Sequence, residues 1–275
     1  MRKNSTKVLM ACALALVFTA CKKEAKETAT DPNEISASVL TQIKAAGFNT
    51  QGAQKVEGGY LVEGDILLTQ DNLASTSFSP EMIYANEEHY RTNSTVNPSS
   101  FPTIKVALNN SSAPHQAVFN AALNEAIRRY NALGLRIKFS HVSSGANTTV
   151  VAFFQQSNVL GSSGFPTSNG APFSQVRMNT FWYNTSTSTT NVNYIATIMA
   201  HELGHCIGFR HTDYMNRAYS CGGTAVNEGS GGVGAVHISG TPTGPSAGSW
   251  MLACVGSNQN RPFTGADVTA LNFVY

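Results

Sequence analysis

The segment that most constrains this chain reads HELGHCIGFRH and covers residues 201–211. The surrounding pattern predicts a long helix, in which residues four apart lie on the same face, one turn from each other. His201 and His205 can therefore reach one metal ion. Gly208 can adopt a left-handed backbone and end the helix, so that the chain turns back and His211 supplies a third nitrogen.

Three histidines leave the fourth position of a tetrahedral metal open, which is typical of catalytic zinc sites and not of closed structural ones. Glu202 is rotated from the first histidine by about 100° around the helix axis. Its carboxylate can therefore contact a water activated by the metal without binding the metal itself. The spacing predicts Zn²⁺ as the cofactor, with Glu202 as general base and His201, His205 and His211 as metal ligands.

Two acidic residues downstream leave alternatives open. A different arrangement would use a glutamate as the third ligand, and Glu228 is the only glutamate after the motif. It lies in a glycine-rich loop, where no helix would orient it towards the metal. Asp213 either caps the backbone turn that follows the site or accepts a hydrogen bond from a ligand histidine.

The motif resembles the metzincin signature HExxHxxGxxH, and residues 249–252, SWML, resemble the methionine turn of those enzymes. Over residues 201–254 the chain resembles most closely the dual-action HEIGH metallopeptidases, with Leu203 in place of the isoleucine in that name. The resemblance implies an α+β, metzincin-like two-lobed protease domain, with a mixed twisted sheet and two long helices above. Below them it implies an irregular C-terminal lobe with a terminal helix, and Met251 as an apolar floor under the zinc.

The resemblance also implies an activity, namely hydrolysis of peptide bonds in extracellular proteins or peptides, which are the expected partners. It implies an edge strand that pairs with extended substrate, formed by Gln175, Val176, Arg177, Met178 and Asn179. The alternative is that this strand is an ordinary sheet edge. The competing function is a surface-anchored, zinc-containing adhesion protein without catalysis, and the intact Glu202 favours the peptidase.

Residues 62–65, VEGD, resemble the FxGD segment of astacin propeptides, with Val62 in place of the phenylalanine. That resemblance implies that Asp65 occupies the open position of the zinc and keeps the enzyme latent until the prosegment is removed. The other interpretation is that Gly64 and Asp65 form an ordinary hairpin turn. The sequence leaves both open.

The N-terminus has the features of an export signal. Arg2, Lys3 and Lys7 precede an apolar run over Val8–Phe18, which as a helix would span about 16 Å, half of a bilayer core. Residues 18–21, FTAC, resemble the lipobox of bacterial lipoproteins, which implies a lipidated Cys21 and a protein anchored to the cell envelope or surface. The alternative is plain cleavage after residue 20.

We expect four segments along the chain: a signal peptide over 1–20, a tether over 21–33, an N-terminal region or prosegment over 34–100, and the metallopeptidase domain over 101–275. Asn93–Ser100 is polar and predicts a linker or cleavage region, where a cut would release the protease. Without the signal the chain has 15 basic and 16 acidic residues, so charge gives no support for nucleic-acid binding. We expect a monomer.

The three remaining cysteines, Cys206, Cys221 and Cys254, allow one disulfide and one free thiol in an exported protein, and all three pairings stay open. The hydrophobic patterns predict the following elements: a helix from Ile35 ended by Gly47, strands over Tyr60–Leu68, Thr103–Leu108, Leu135–Val142, Thr148–Phe154 and Gln175–Tyr183, helices over Ala113–Leu133 and Asn193–Ile207, and a terminal helix capped by Thr264 and Asp267.

Overall fold

In the computed structural model, residues 34–74, 89–109, 113–229, 233–242 and 245–275 are described. The predicted signal peptide, the tether and Cys21 lie outside these residues. Ile35–Tyr275 form one structural unit. Within the described part of the chain, no helix combines the length and the apolar character needed to cross a membrane.

The chain alternates helices and strands in a mixed α+β arrangement. The strands are β1 (Gln54–Val56), β2 (Gly59–Val62), β3 (Ile66–Leu68), β4 (Tyr90–Arg91), β5 (Thr103–Leu108), β6 (Lys138–His141), β7 (Thr148–Phe153), β8 (Gly161–Ser162), β9 (Gln175–Asn179) and β10 (Val236–His237). The helices are α1 (Ala37–Ala45), α2 (Gln70–Ala74), α3 (Gln116–Asn131), α4 (Thr189–Cys206), α5 (Ala218–Cys221) and α6 (Gly265–Val274), with a 3₁₀ turn over Thr180–Trp182.

The central sheet has five strands in the order β6-β5-β7-β9-β8. The first four are parallel, and β8 is antiparallel to β9. The prediction that Gln175–Asn179 is the edge strand is therefore wrong, because β8 pairs with its outer side through Met178 and Arg177. A strand of two residues is too short to leave a hydrophobic pattern in the sequence, which is why β8 was not predicted.

The two long helices pack against each other and against the sheet. Helix α3 contacts β6, and α4 contacts β9 and β8. The main core lies between these layers and includes Val118, Phe119, Leu123, Ile195, Met199 and Leu203. Almost every residue of α4 from Tyr194 onward is buried, so this helix passes through the interior and holds its last turn rigidly.

The N-terminal part of the unit has a small core of its own. Helix α1 and the antiparallel sheet β1-β2-β3 enclose it, and Phe165 from the larger part completes it. The strand predicted over Tyr60–Leu68 is a hairpin, in which Glu63, Gly64 and Asp65 form the turn between β2 and β3. The continuous apolar pattern is explained by burial of both strands.

The segment predicted as a linker, Asn93–Ser100, is packed into the protein. Val96 is buried, and its amide donates to the hydroxyl of Tyr275. The amides of Asn93 and Asn97 donate to the carbonyls of Val233 and Gly170. The linker interpretation was wrong, because these hydrogen bonds hold the backbone of the segment. Half of its residues are exposed, and its interpretation as a cleavage region stays a prediction.

The C-terminal part is held by one disulfide and one buried carboxylate. The disulfide joins Cys221 to Cys254, and Cys206 is a buried free thiol. Helix α6 begins with the predicted capping box, formed by Thr264 and Asp267. The Asp267 carboxylate is fully buried and serves several other partners, as described below.

Candidate metal centre

The three histidines of the motif are brought together at the end of α4, and each has one ring nitrogen engaged by an oxygen. Nδ1 of His201 lies 2.8 Å from the carbonyl of Trp250, and Nδ1 of His205 lies 2.8 Å from the carbonyl of Phe209. Nδ1 of His211 lies 2.8 Å from a carboxylate oxygen of Glu228. Since these oxygens only accept hydrogen bonds, each Nδ1 must carry the proton.

When these rings are neutral, the opposite nitrogens, Nε2, present lone pairs, and all three lie close together. Nε2 of His205 lies 3.1 Å from Nε2 of His201 and 3.2 Å from Nε2 of His211. Oδ2 of Asp65 lies 3.1 Å from Nε2 of His211 and 3.5 Å from that of His201. Four acceptors within 4.8 Å of one another repel unless a cation lies between them, so this donor set fits a metal ion.

Further observations agree with a cation at this position. Burial lowers the pKa of His205, which keeps its ring neutral and able to act as a ligand. At His211 burial acts in the same direction, but the carboxylates of Asp65 and Glu228 outweigh it and raise the pKa. Oδ1 of Asp65 is buried with no hydrogen-bond partner among the described residues. The site thus has the charge and unused acceptors of a cation site.

The turn after α4 is what delivers the third histidine. Gly208 has φ of 106°, the left-handed backbone that the sequence predicted, and its amide donates to the carbonyl of His205. A side chain here would also meet the carbonyl oxygen of Ser94 at 2.9 Å. The chain therefore reverses, and His211 is aimed back at the helix.

The atoms that converge on the metal position come from the three histidines and Asp65, and Glu228 is not among them. Glu228 is nevertheless part of the site. It is 1% exposed, and its carboxylate contacts Nδ1 of His211 through both oxygens. Arg210 and Arg217 lie at 3.8 Å and 3.3 Å from the same carboxylate. The expectation that the glycine-rich loop could not orient this glutamate was wrong, because two arginines hold it.

Asp213 takes neither of the two positions expected for it. Its carboxylate accepts from the amide of Ala253 at 2.9 Å and from the hydroxyl of Ser220 at 2.5 Å. Ser220 in turn accepts from the amide of Cys254. Asp213 therefore ties the turn after His211 to the segment that follows Met251.

The predicted methionine turn lies directly under the helix that carries the ligands. Gly204 lies between the first two histidines of the motif, and a side chain there would meet Sδ of Met251 at 2.5 Å. Glycine at this position therefore lets the methionine turn approach the helix closely. Met251 is fully buried. Asp267 fixes the turn by accepting from the hydroxyl of Ser249 and the amide of Trp250, and this places the carbonyl that His201 contacts.

Glu202 is held beside the metal centre and opens onto a cavity. Its Oε2 accepts from the hydroxyl of Ser163 at 2.7 Å, and the side chain is almost fully buried. Burial raises the pKa of Glu202, the Asp65 carboxylate raises it further, and the Ser163 hydrogen bond partly opposes this. Ser163 gave no sequence signal, because it comes from the loop after β8 and meets the helix only in the folded chain.

The interpretation of Gly64 and Asp65 as a hairpin turn is confirmed, whereas latency stays a prediction. Asp65 lies in this turn, and its carboxylate faces the three histidines. The backbone around it pairs with the loop after β8: Ser163 donates to the carbonyl of Asp65 at 2.9 Å, and Leu67 donates to the carbonyl of Ser163 at 2.6 Å. The hairpin thus extends the edge of the central sheet beside Glu202.

Buried charges fasten this hairpin to the site. Arg210 is 1% exposed and lies 3.3 Å from the carboxylate of Glu63. The guanidinium also lies over the rings of Phe48 and Tyr214. Arg217 donates to the carbonyl of Glu63. The arginines that hold Glu228 therefore also hold the turn that carries Asp65.

Replacing Glu228 by glutamine is expected to weaken Zn²⁺ binding about 10- to 100-fold, because the carboxylate no longer orients and polarises His211. The measurement is the Zn²⁺ dissociation constant by competition with a chelating dye. Glu57→Gln, which removes an exposed carboxylate from the turn between β1 and β2, is the matched control and should leave the constant unchanged. An unchanged constant in the Glu228 variant would contradict the assigned contact.

A family profile described as dual-action HEIGH metallo-peptidase matches residues 60–275. The chain is also similar to a solved structure titled "Structure of myroilysin", with 17% sequence identity and a TM-score of 0.43, over 67% of this chain and 96% of that chain. A search of curated proteins gave no match. The profile match includes the Asp65 turn, the histidine motif and the terminal helix.

Proposed function

Because the chain belongs to the dual-action HEIGH metallopeptidase family, we propose that it is a zinc endopeptidase that cleaves extracellular proteins or peptides. One observation carries the proposal: three imidazole nitrogens and a carboxylate converge in a buried site. Glu202, which lies beside that site, lines a cavity of about 840 Å³. A binding protein with a structural metal would not require a carboxylate that lies beside the metal and lines a cavity.

His201, His205 and His211 would hold the ion, and when bound it supplies Lewis-acid activation of water and of the peptide carbonyl. Glu202 accepts the proton of the attacking water, for which its raised pKa is suited. Ser163 fixes one oxygen of that carboxylate, so the other is left for the reaction. The same carboxyl group then returns the proton to the leaving amine, as microscopic reversibility allows.

We assign the metzincin type to this enzyme. The third histidine after the Gly208 turn and the buried Met251 beneath Gly204 support the assignment. In this arrangement Met251 is an apolar floor that fixes the ligand helix and binds no metal. The two long helices, the mixed sheet and the terminal helix α6 are the elements that such a domain requires.

We further propose that the enzyme is made latent. Asp65 would fill the open metal position, and the backbone pairing of Asp65 and Leu67 with Ser163 would block the sheet edge where substrate extends. Residues 34–74 would then act as a prosegment. Activation would cut the chain before His89, because that residue contacts the buried Asp267 and the segment after it is packed into the protease.

The location outside the cytoplasm is proposed from the N-terminal sequence. A lipid on Cys21 would anchor the unprocessed chain, and cleavage of the prosegment would release the protease. We expect radiolabelled palmitate to be incorporated into the wild-type protein and not into Cys21→Ser. Equal labelling of both proteins would contradict the anchor.

Metal removal tests the proposed function. Dialysis of the processed enzyme against 1,10-phenanthroline is expected to lower cleavage of casein to about one hundredth, because the water and carbonyl lose their activation. One equivalent of Zn²⁺ should restore activity, whereas Mg²⁺, which prefers oxygen ligands, should not. Full activity in protein shown to contain no metal would contradict a metallopeptidase.

A further inference from the structure

The cavity beside the metal centre runs along one face of α4. Tyr194, Ile198 and His201 line it, together with Thr197. Residues at these spacings share a helix face, and seven residues rise about 10 Å along the axis. The cavity therefore begins at the catalytic glutamate and extends about two helical turns away from it.

The rest of the lining combines apolar and polar residues with two cations, Arg217 and Arg261. Leu252, Val255 and Trp182 contribute carbon surface, and Arg261 also lines the cavity. The amide of Arg261 donates to the hydroxyl of Thr197 at 2.9 Å. Because Thr197 precedes His201 by one turn, this contact fixes the backbone of Arg261 beside the helix turn that precedes the metal ligand.

The two arginines that line the cavity differ in their ion pairs, because a carboxylate engages only one of them among the described residues. The carboxylates of the cavity, Asp65 and Glu202, both lie at the metal centre, and Arg217 is engaged by Glu228 at 3.3 Å. The guanidinium of Arg261 contacts the carbonyl of Cys254 at 3.1 Å and an amide oxygen of Gln259 at 3.5 Å. No carboxylate of the described residues forms an ion pair with it.

Arg261 is also partly removed from water. Burial lowers its pKa, although the more distant Asp213 and Asp267 oppose this effect. A guanidinium that is partly desolvated, and that has no close carboxylate, retains donors for an anion. A carboxylate from the substrate is the anion that can reach it from a peptide bound at the metal centre.

Building on the proposed function, we propose that Arg261 determines specificity by pairing with an aspartate or glutamate side chain next to the scissile bond. Leu252 and Val255 accommodate the methylene groups of that side chain, and the guanidinium binds its carboxylate. When the prosegment leaves, Asp65 leaves with it. The cavity then gains positive potential, which favours acidic substrates further.

Paired peptides test this inference. They are identical except for glutamate or glutamine on one or the other side of the cleaved bond, and the processed, zinc-loaded enzyme is assayed on each. We expect kcat/KM to favour glutamate on one side by about tenfold or more. In Arg261→Met the ratio should fall to near one, and in Arg261→Glu lysine should replace glutamate as the preferred residue.

Controls separate specificity from folding. Arg128→Gln, which removes an exposed arginine from α3, should retain the wild-type ratio. Because Arg261 also contacts Cys254, Arg261→Lys is assayed as well, and it should keep a smaller preference for glutamate. A wild-type ratio below two, or a ratio that survives Arg261→Met, would overturn the inference. If no peptide is cleaved by the processed enzyme, the proposed function itself is contradicted.

Discussion

Glutamine in place of Glu202 is expected to lower kcat/KM of the processed enzyme by a factor of about 10³ while one zinc stays bound per chain. The amide has nearly the same shape and can still accept from Ser163, but it cannot take a proton from water. The histidines and their oxygen partners are untouched by the change. Cleavage of a fluorogenic peptide, combined with a metal count, measures both effects.

The matched control is Glu125→Gln, because Glu125 is a carboxylate of the same domain that pairs with the exposed Arg128 and the buried Arg129. The glutamine amide oxygen can still accept hydrogen bonds from these arginines, so this variant should retain full activity. If Glu202→Gln keeps more than a tenth of the wild-type activity, another group acts as the base. If it loses its zinc, Glu202 is part of the metal site itself.

Replacing Asp65 by alanine is expected to raise the peptidase activity of the unprocessed chain on the order of 100-fold. The variant removes the buried carboxylate that faces the three histidines, and a contact of that kind contributes several kcal/mol. The hairpin can still form, because β2 and β3 pair independently of this side chain. The rate of peptide cleavage before any processing is the quantity to compare.

Glu57→Gln is the control for this variant, since it removes an exposed carboxylate from the turn between β1 and β2. It should leave the unprocessed chain latent. N-terminal sequencing of the active wild-type protein should find a start after Asp65 and no later than His89. A fully active wild-type chain that retains Asp65 would contradict latency. An Asp65→Ala protein that stays silent until it is cut would contradict the role of the Asp65 carboxylate and leave the backbone pairing with Ser163 as the blocking contact.

The sequence predicted those parts of the site that depend on local geometry. Helical periodicity places His201 and His205 on one face, and a glycine three residues later permits the reversal that brings in His211. The capping box at Thr264 is equally local and was confirmed. Each of these predictions needed only a few residues along the chain.

The parts that could not be predicted depend on contacts between distant residues. Glu228 reaches His211 because Arg210 and Arg217 hold it. No sequence pattern identifies either arginine as a partner of Glu228. Ser163 meets Glu202 only across the end of the sheet. The choice of Cys221 and Cys254 for the disulfide likewise follows from the tertiary fold.

The unprocessed chain is expected to hold one zinc ion at a centre of four residues. Anomalous diffraction at the zinc edge, on crystals of that chain, tests it most directly. We predict one peak, about 2.0–2.2 Å from Nε2 of His201, His205 and His211 and from a carboxylate oxygen of Asp65. A zinc ion bound by Glu228 in place of Asp65, or no anomalous peak in crystals grown with zinc, would contradict this four-residue metal centre.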